Sequence, residues 1–467
     1  MSIVNEFLLF INVLILLYFI VVNGGYLFLI WCSYRNIQKF RDVDKIFKMT
    51  GVYNTNLYKP VSIIAPAYNE EQSIINSVNS LLNIIYANFE VIVVNDGSSD
   101  NTLSLLIDHY GLKPDHRYRP KFLSHQPIRQ IYSSPRYPVL IVVDKENGRK
   151  ADALNAGLNI ASNELICAVD ADSILEPDVI TKMLRVFMED ETTIAVGGVV
   201  RVANGCTFKH RIVEKVLLPQ TFLGRIQAVE YLRAFLFGRV GWDYLNTLLI
   251  ISGAFGVFDR KALIKAGGYL HNTVGEDMEL VLRMHKYHRD HNIPYRIRFI
   301  AEPVCWTEVP EDFKTLSRQR NRWQRGLADT LYRYRKMFFN PGYGRIGMIG
   351  MPFFFLAELL SPFVELVGLV IVGFSWWFGA INISFALVFL AVAIILGMIL
   401  SVSALLLEEM TTRRYDRSKD IIILAGYALL ENLGYRQIHA WWRLMGLLDY
   451  LRGNKAWGMM VRKGIGG

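Results

Sequence analysis

At 467 residues the chain is too long for one ordinary soluble domain, and its 52% hydrophobic content is high for a soluble protein. A net charge of +9 favours nucleic acid, anionic lipid or anionic substrates, and the positions of the charges must decide between them. Cys32, Cys167, Cys206 and Cys305 are too scattered for a zinc pair, a redox CxxC or a disulfide framework, so they read as free or buried thiols.

The first element runs from Phe7 to Trp31, almost wholly apolar and without a charge. About 20 such residues span a bilayer. The run lacks a basic start and a small-residue cleavage site, so it reads as a span and not as a cleaved leader. Arg35, Lys39, Arg41, Lys45 and Lys48 follow, which places that flank in the cytoplasm. Residues 1–34 are therefore an N-terminal transmembrane helix and 35–58 a cytoplasmic linker.

Residues 59–310 read as a cytoplasmic α/β domain. Val61–Ala65, Val91–Asn95, Val139–Asp144 and Leu165–Val169 are short apolar runs rich in β-branched residues, each followed by a polar turn and a plausible helix. That alternation predicts a largely parallel sheet with helices on both faces, and such sheets bind ligands at the carboxyl ends of their strands.

Polar clusters sit at those ends. Pro66–Glu70 could be a turn before a helix, or a nucleotide pocket in which Tyr68 stacks on a base and Glu70 accepts from hydroxyls. Asn95–Asp100 could be a tight strand-to-helix turn, with Gly97 allowing close approach of a ligand and Asp96 as the nucleobase contact. Lys145–Asp152 could be a solvated loop, or a cation site in which Lys150 meets a diphosphate. Asp170-Ala171-Asp172 projects alternate carboxylates to one side of an extended chain, a donor set that suits Mg²⁺ or Mn²⁺.

Further along, Gln227 to about Gly238 is an amphipathic stretch with no assigned chemistry. Thr273 and Glu276 have the spacing of a capping box, against a reading of Asp277 as a general base for an acceptor hydroxyl. Residues 311–345 hold a strongly basic helix with Gln319, Arg322 and Trp323, either an interfacial helix on anionic lipid or a site for diphosphate and a sugar face. Spans are predicted near 349–373 and 380–406; the acids Glu358 and Glu365 in the first should face protein or water. Arg413, Arg414, Arg417 and Lys419 mark a cytoplasmic loop, 420–450 a re-entrant or interfacial pair or a polar-lined span, and 451–467 a cytoplasmic tail.

Taken in order, Asp96, Asp170-x-Asp172, Glu276-Asp277 and Gln319-x-x-Arg322-Trp323 resemble the D, DxD, (T/G)ED, QxxRW signature of processive membrane family 2 glycosyltransferases. Those include cellulose, chitin, hyaluronan and poly-N-acetylglucosamine synthases. The resemblance covers residues 59–340 and implies a mixed sheet of the GT-A type between transmembrane helices. It implies that Tyr68, Glu70 and Asp96 bind uridine, that Lys150 and Asp170 lie near the donor, and that Asp172 ligates Mg²⁺ or Mn²⁺. Asp277, with Glu276 beside it, would be the base. Gln319, Arg322 and Trp323 would hold the diphosphate and the acceptor's terminal sugar.

One in-line displacement would then invert a UDP-α-sugar to a β-linkage. The implied partners are a UDP-sugar, a growing glycan or lipid-linked acceptor, membrane lipids, and an export partner or second copy, with no nucleic acid. The implied location is the plasma membrane, multi-pass, with the catalytic domain cytoplasmic. Gly275-Glu276-Asp277 looks like the chitin and hyaluronan branch, whereas Gln319–Gly326 looks like the cellulose and poly-N-acetylglucosamine branch, so the donor sugar stays open. Single addition to a lipid carrier or glycolipid is the competing reading, and a catalytically inactive membrane scaffold the third.

Overall fold

The computed structural model describes residues 3–50, 59–116, 121–171, 173–209, 212–381, 383–411, 414–415 and 417–454. The chain forms two compact units. A sheet unit includes Gln38–Gln220 and Leu248–Val309, and a helical unit comprises Met1–Ile37, Thr221–Thr247 and Pro310–Val461.

The sheet unit is built on β1 (Val61–Ala67), β2 (Phe89–Asp96), β3 (Lys113–Pro114), β4 (Ile128–Ser133), β5 (Leu140–Lys145), β6 (Leu165–Val169), β7 (Ile174–Leu175), β8 (Thr193–Val202), β11 (Phe255–Asp259) and β12 (Arg296–Thr307), with β9 (Thr207–Lys209) and β10 (Ile212–Lys215) paired antiparallel in a separate small sheet. The order across the large sheet is β3-β4-β5-β2-β1-β6-β11-β8-β12-β7. The four predicted strands are its parallel block, β5-β2-β1-β6. They are apolar because both faces are covered, so that β5 and β6 are buried along their whole length.

Register sets the chemistry. Ala67 pairs with Asn95, and Asp96 with Lys145, so the polar clusters after β1, β2 and β5 open on one edge. Strand β11 runs antiparallel to β6 and pairs Phe255 with Val169. The segment before β11 therefore returns to the same edge, where the Asp170 amide donates to the Ala254 carbonyl at 3.2 Å. The sheet is mixed, of the GT-A type.

The first helix, which opens the helical unit, runs Ile3–Thr50, longer than the expected span and continuing into the stretch expected to be a linker. Among the described residues, two helices are long and apolar enough to cross a membrane, within Ile3–Arg41 and Ile394–Thr411. Ile346–Leu359 and Ser361–Trp377 would add a third as one span, but they meet at a 44° bend. Pro362, in the first turn after the bend, has no amide to continue the preceding helix. The expected pair at 420–450 is two helices, Ser418–Leu430 and Tyr435–Leu451.

The two acids near the bend face protein, as expected. Glu365 is paired with Arg436 at 3.1 Å. Glu358 takes Arg443 at 3.2 Å and a hydrogen bond from the Tyr26 hydroxyl at 2.7 Å.

Candidate active site

The edge formed by β1, β2, β5 and β6 carries most of the predicted residues. Tyr68 follows β1 and is exposed. Asn69 takes the left-handed conformation (φ 54°), which asparagine tolerates, and its side chain accepts from the Ser99 amide at 2.9 Å. Glu70 accepts from the Ser73 hydroxyl at 2.5 Å, and its amide donates to Thr102 Oγ1 at 2.8 Å. The turns after β1 and β2 thus form one stitched rim.

Asp96 is buried, and its Oδ1 accepts from Lys145 Nζ at 2.5 Å and from the Gly148 amide at 3.0 Å. Gly97 has φ 67°, and a Cβ there would lie 2.7 Å from the Asn147 backbone nitrogen. The close approach that Gly97 permits is therefore that of the neighbouring loop, where the sequence suggested a ligand.

Lys150 opens the helix Lys150–Ile160 at the end of β5. Its ammonium lies 2.6 Å from Asp170 and 3.5 Å from Glu276, and it donates to the Gly253 carbonyl at 3.0 Å. Burial alone would lower this ammonium's pKa. The nearby carboxylates of Asp170, Glu276 and Asp277 outweigh burial and hold it above the ordinary lysine range. Lys150 stays charged.

Glu276 and Asp277 begin the helix Glu276–Asp290. The capping-box spacing is not used as a cap. Gly275 is the N-cap, with no side-chain cap, and the Thr273 hydroxyl accepts from the Gly275 amide at 3.3 Å. Asp277 Oδ2 accepts from the Gly253 amide at 3.2 Å, and Oδ1 from the Met278 amide at 2.8 Å. Both bonds fix the direction of the carboxylate at the start of the helix. A Cβ on Gly253 would stand 3.2 Å from Lys150 Nζ and 3.6 Å from Asp277 Oδ2. Ser252, Gly253, Tyr269, Lys150, Glu276 and Asp277 line one narrow cavity.

Lys150, Asp170, Glu276 and Asp277 therefore converge, as the sequence suggested. Sequence reasoning missed Gly253 and Tyr269. Gly253 lies just before an antiparallel strand and carries no side chain to draw attention, and Tyr269 reads as a core aromatic.

Gln319, Arg322 and Trp323 lie in the helical unit on the helix Phe313–Arg333. Gln319 is buried and Trp323 is 45% exposed. The stacked cation is Arg320, whose guanidinium lies 4.4 Å from the Trp323 ring centroid and whose Nη2 donates to Glu230 at 2.6 Å. Glu230 belongs to the stretch for which the sequence offered no chemistry. It also accepts from the Tyr435 hydroxyl at 3.3 Å.

Two family models match: one described as Glycosyl transferase family 2 at residues 62–266, and one described as Glycosyl transferase family group 2 at residues 165–405, just over half of the chain. The chain belongs to the family 2 glycosyltransferases.

This family 2 glycosyltransferase is similar to the poly-beta-1,6-N-acetyl-D-glucosamine synthase of Staphylococcus epidermidis, 28% identical over 274 residues that cover 58% of this chain and 56% of the relative. The synthase of Staphylococcus aureus (strain COL) is 29% identical over 283 residues, covering 60% of this chain and 57% of that one. The chain thus spans little more than half the length of the curated relatives it matches. Among solved structures, a mannosyltransferase from Pyrobaculum calidifontis in complex with GDP-Man and Mn²⁺ shares the fold, with a TM-score of 0.50, 16% identity, and coverage of 89% of this chain and 99% of that one.

Of the carboxylate pair expected at a metal, Asp172 lies outside the described residues. Among the described residues no group of three or more His, Cys, Asp or Glu is arranged to hold an ion. The cluster nevertheless fits a divalent cation in charge and donor type. Three carboxylates (Asp170, Glu276, Asp277) against one ammonium (Lys150) leave a formal charge of −2, and all the donors are hard oxygens.

Proposed function

We propose that this family 2 glycosyltransferase is an inverting enzyme that transfers N-acetylglucosamine from UDP-N-acetylglucosamine to the end of a β-linked polysaccharide at the cytoplasmic face of a membrane. The carrying observation is Asp277, held by two backbone amides beside Lys150 and Glu276 in one narrow cavity at the strand ends. An ionised carboxylate fixed in direction is what a general base for a sugar hydroxyl requires. The hydroxyl attacks the anomeric carbon as Asp277 takes its proton, and the nucleoside diphosphate departs from the opposite face. One displacement yields inversion.

Lys150, which stays charged, faces the departing diphosphate. Tyr68, Glu70 and Asp96 bind the uridine. Mg²⁺ or Mn²⁺, held by Asp172 with donor phosphate oxygens, would neutralise charge on the leaving group. Gln319, Arg322 and Trp323 bind the diphosphate and the acceptor's terminal sugar, a role that rests on their motif. The choice of sugar is supported by the Staphylococcus relatives, whose names specify an N-acetylglucosamine polymer. The apolar helices support multi-pass insertion in the plasma membrane, and export through an accessory partner or a second copy is part of the same reading.

The test is UDP release by purified protein with Mg²⁺ or Mn²⁺, across UDP-N-acetylglucosamine, UDP-glucose, UDP-galactose and UDP-glucuronate, with product length measured in the same reactions. Release from UDP-N-acetylglucosamine with a long product is expected. Release with a short product would replace the polymer reading with single addition to a lipid-linked acceptor. Release from another donor alone would overturn the sugar.

A further inference from the structure

The helix Lys150–Ile160 does more than present Lys150. Two and five residues further on, Asp152 and Asn155 contact the segment that leads into Gly275-Glu276-Asp277. Lys145 is fully buried, and its Nζ lies 2.5 Å from Asp96 Oδ1 and 2.5 Å from Asp152 Oδ1. It also donates to the Glu146 carbonyl at 2.6 Å. An ammonium has three hydrogens, and all three are committed within the protein. Lys145 therefore cannot serve the donor phosphates; it ties the end of β2 to Asp152.

The opposite oxygen of Asp152 lies 3.2 Å from His271 Nδ1. Asn155 Nδ2 lies 3.1 Å from His271 Nε2 and donates to the Tyr269 carbonyl at 2.9 Å, while Asn155 Oδ1 accepts from the Tyr269 amide at 2.7 Å. These contacts fix the orientation of the Asn155 amide, so His271 Nε2 is the acceptor and the ring hydrogen sits on Nδ1, toward Asp152. Gly268 has φ 65°, and a Cβ there would lie 2.5 Å from Asn155 Oδ1, so the chain can hug the helix at this point only without a side chain.

Buried charge clusters rarely stabilise a fold more than apolar packing would. Their contribution here is direction. An unbroken chain of contacts runs from Asp96 through Lys145 and Asp152 to His271, five residues before Glu276.

We propose that Lys145, Asp152 and His271 are positioning residues that hold the segment before Asp277 in register with the nucleotide end of the site at Asp96, so that base and donor are aligned by one chain of contacts. This rests on the reading of Asp277 as the base. Displacement of a reacting group by about 1 Å can cost on the order of 100-fold in rate.

His271 is 37% exposed in its side chain, so it can be replaced without opening the core. The experiment compares His271→Leu and His271→Asn with the unaltered full-length protein. It reads kcat and KM with UDP-N-acetylglucosamine and Mg²⁺, UDP affinity, and hydrogen exchange of the amides of residues 268–278. His271→Leu should lower kcat by about 10-fold or more, leave UDP affinity within about twofold, and speed exchange in that segment. His271→Asn, whose side-chain amide replaces the Nδ1 donor, should restore most of kcat and the slow exchange.

The proposal is overturned if His271→Leu leaves kcat and exchange unchanged. It is also overturned if kcat and UDP affinity fall together and His271→Asn rescues neither. Unaltered protein that does not use UDP-N-acetylglucosamine would count against the proposed donor alone, and the exchange comparison would then decide the positioning role.

Discussion

The two units use charge in opposite ways. In the sheet unit one strand edge carries an excess of carboxylate, where Lys150, Glu276 and Asp277 line a cavity and Asp170 pairs with Lys150 beside it. In the helical unit acids are matched with bases on other helices: Glu230 with Arg320, Arg233 with Glu431, Glu365 with Arg436, and Glu358 with Arg443. An unbalanced cluster beside a cavity is arranged to meet a ligand. A matched pair inside an apolar bundle answers the cost of burying charge.

Four measurements would break or sharpen this contrast. The largest effect is expected at Asp277. Asp277→Asn keeps the shape but cannot take a proton, so kcat should fall by about 10²–10⁴-fold while UDP-sugar binding persists. Retained turnover would remove Asp277 as the base and, with it, the functional reading of the unbalanced cluster.

Next is the matched pair Glu230–Arg320. Arg320→Met leaves the part-buried Glu230 carboxylate without its guanidinium and should cost about 3 kcal/mol in denaturation of the detergent-solubilised protein. Combining it with Glu230→Gln should recover most of that loss. A single variant as stable as the parent would show that the pair does not act as a matched pair.

His285 gives a smaller effect in the sheet unit. Its Nε2 faces the Leu248 carbonyl at 2.8 Å and its Nδ1 the Tyr295 hydroxyl at 2.8 Å. Burial lowers its pKa from 6.5 to about 4. The unfolded chain therefore binds this proton at a higher pH than the folded one does. The contribution is fully present above pH 6.5 and is lost as the pH falls toward 4, about 2 kcal/mol between pH 7.5 and 5. Comparing the pH dependence of unfolding with that of His285→Gln isolates it; equal slopes would refute the buried neutral ring.

The smallest effect belongs to Asp312, which caps the helix Phe313–Arg333 by accepting from the Thr315 amide at 2.8 Å. Asp312→Ala should cost about 1 kcal/mol. A much larger loss, read in the same denaturation assay, would mean that Asp312 does more than cap.

Much of the sheet unit was legible because its signals are local. The runs at Val61, Val91, Val139 and Leu165 are short, apolar and followed by turns, and all four became adjacent parallel strands. The antiparallel strand β11 was not anticipated, and with it went Gly253, since a glycine in a short turn says nothing about which strand end it will meet. Thr273 and Glu276 had the right spacing for a cap, but Glu276 faces Lys150 instead. The 44° bend before Pro362, within the span predicted near 349–373, is not something hydropathy alone reveals.

Sequence alone determined the family, the parallel block and the carboxylates and lysine at its edge, because short-range patterns and ordered motifs carry that information. Tertiary structure alone decided which charges are spent on each other. Lys145 and Lys150 are five residues apart in one polar turn and look equally available. The first is closed by Asp96, Asp152 and a carbonyl, and the second opens on the cavity with Asp277. Arg320 and Glu230 stand 90 residues apart, and no local pattern pairs them. Partner choice in a low-dielectric interior depends on distances that only the folded chain creates.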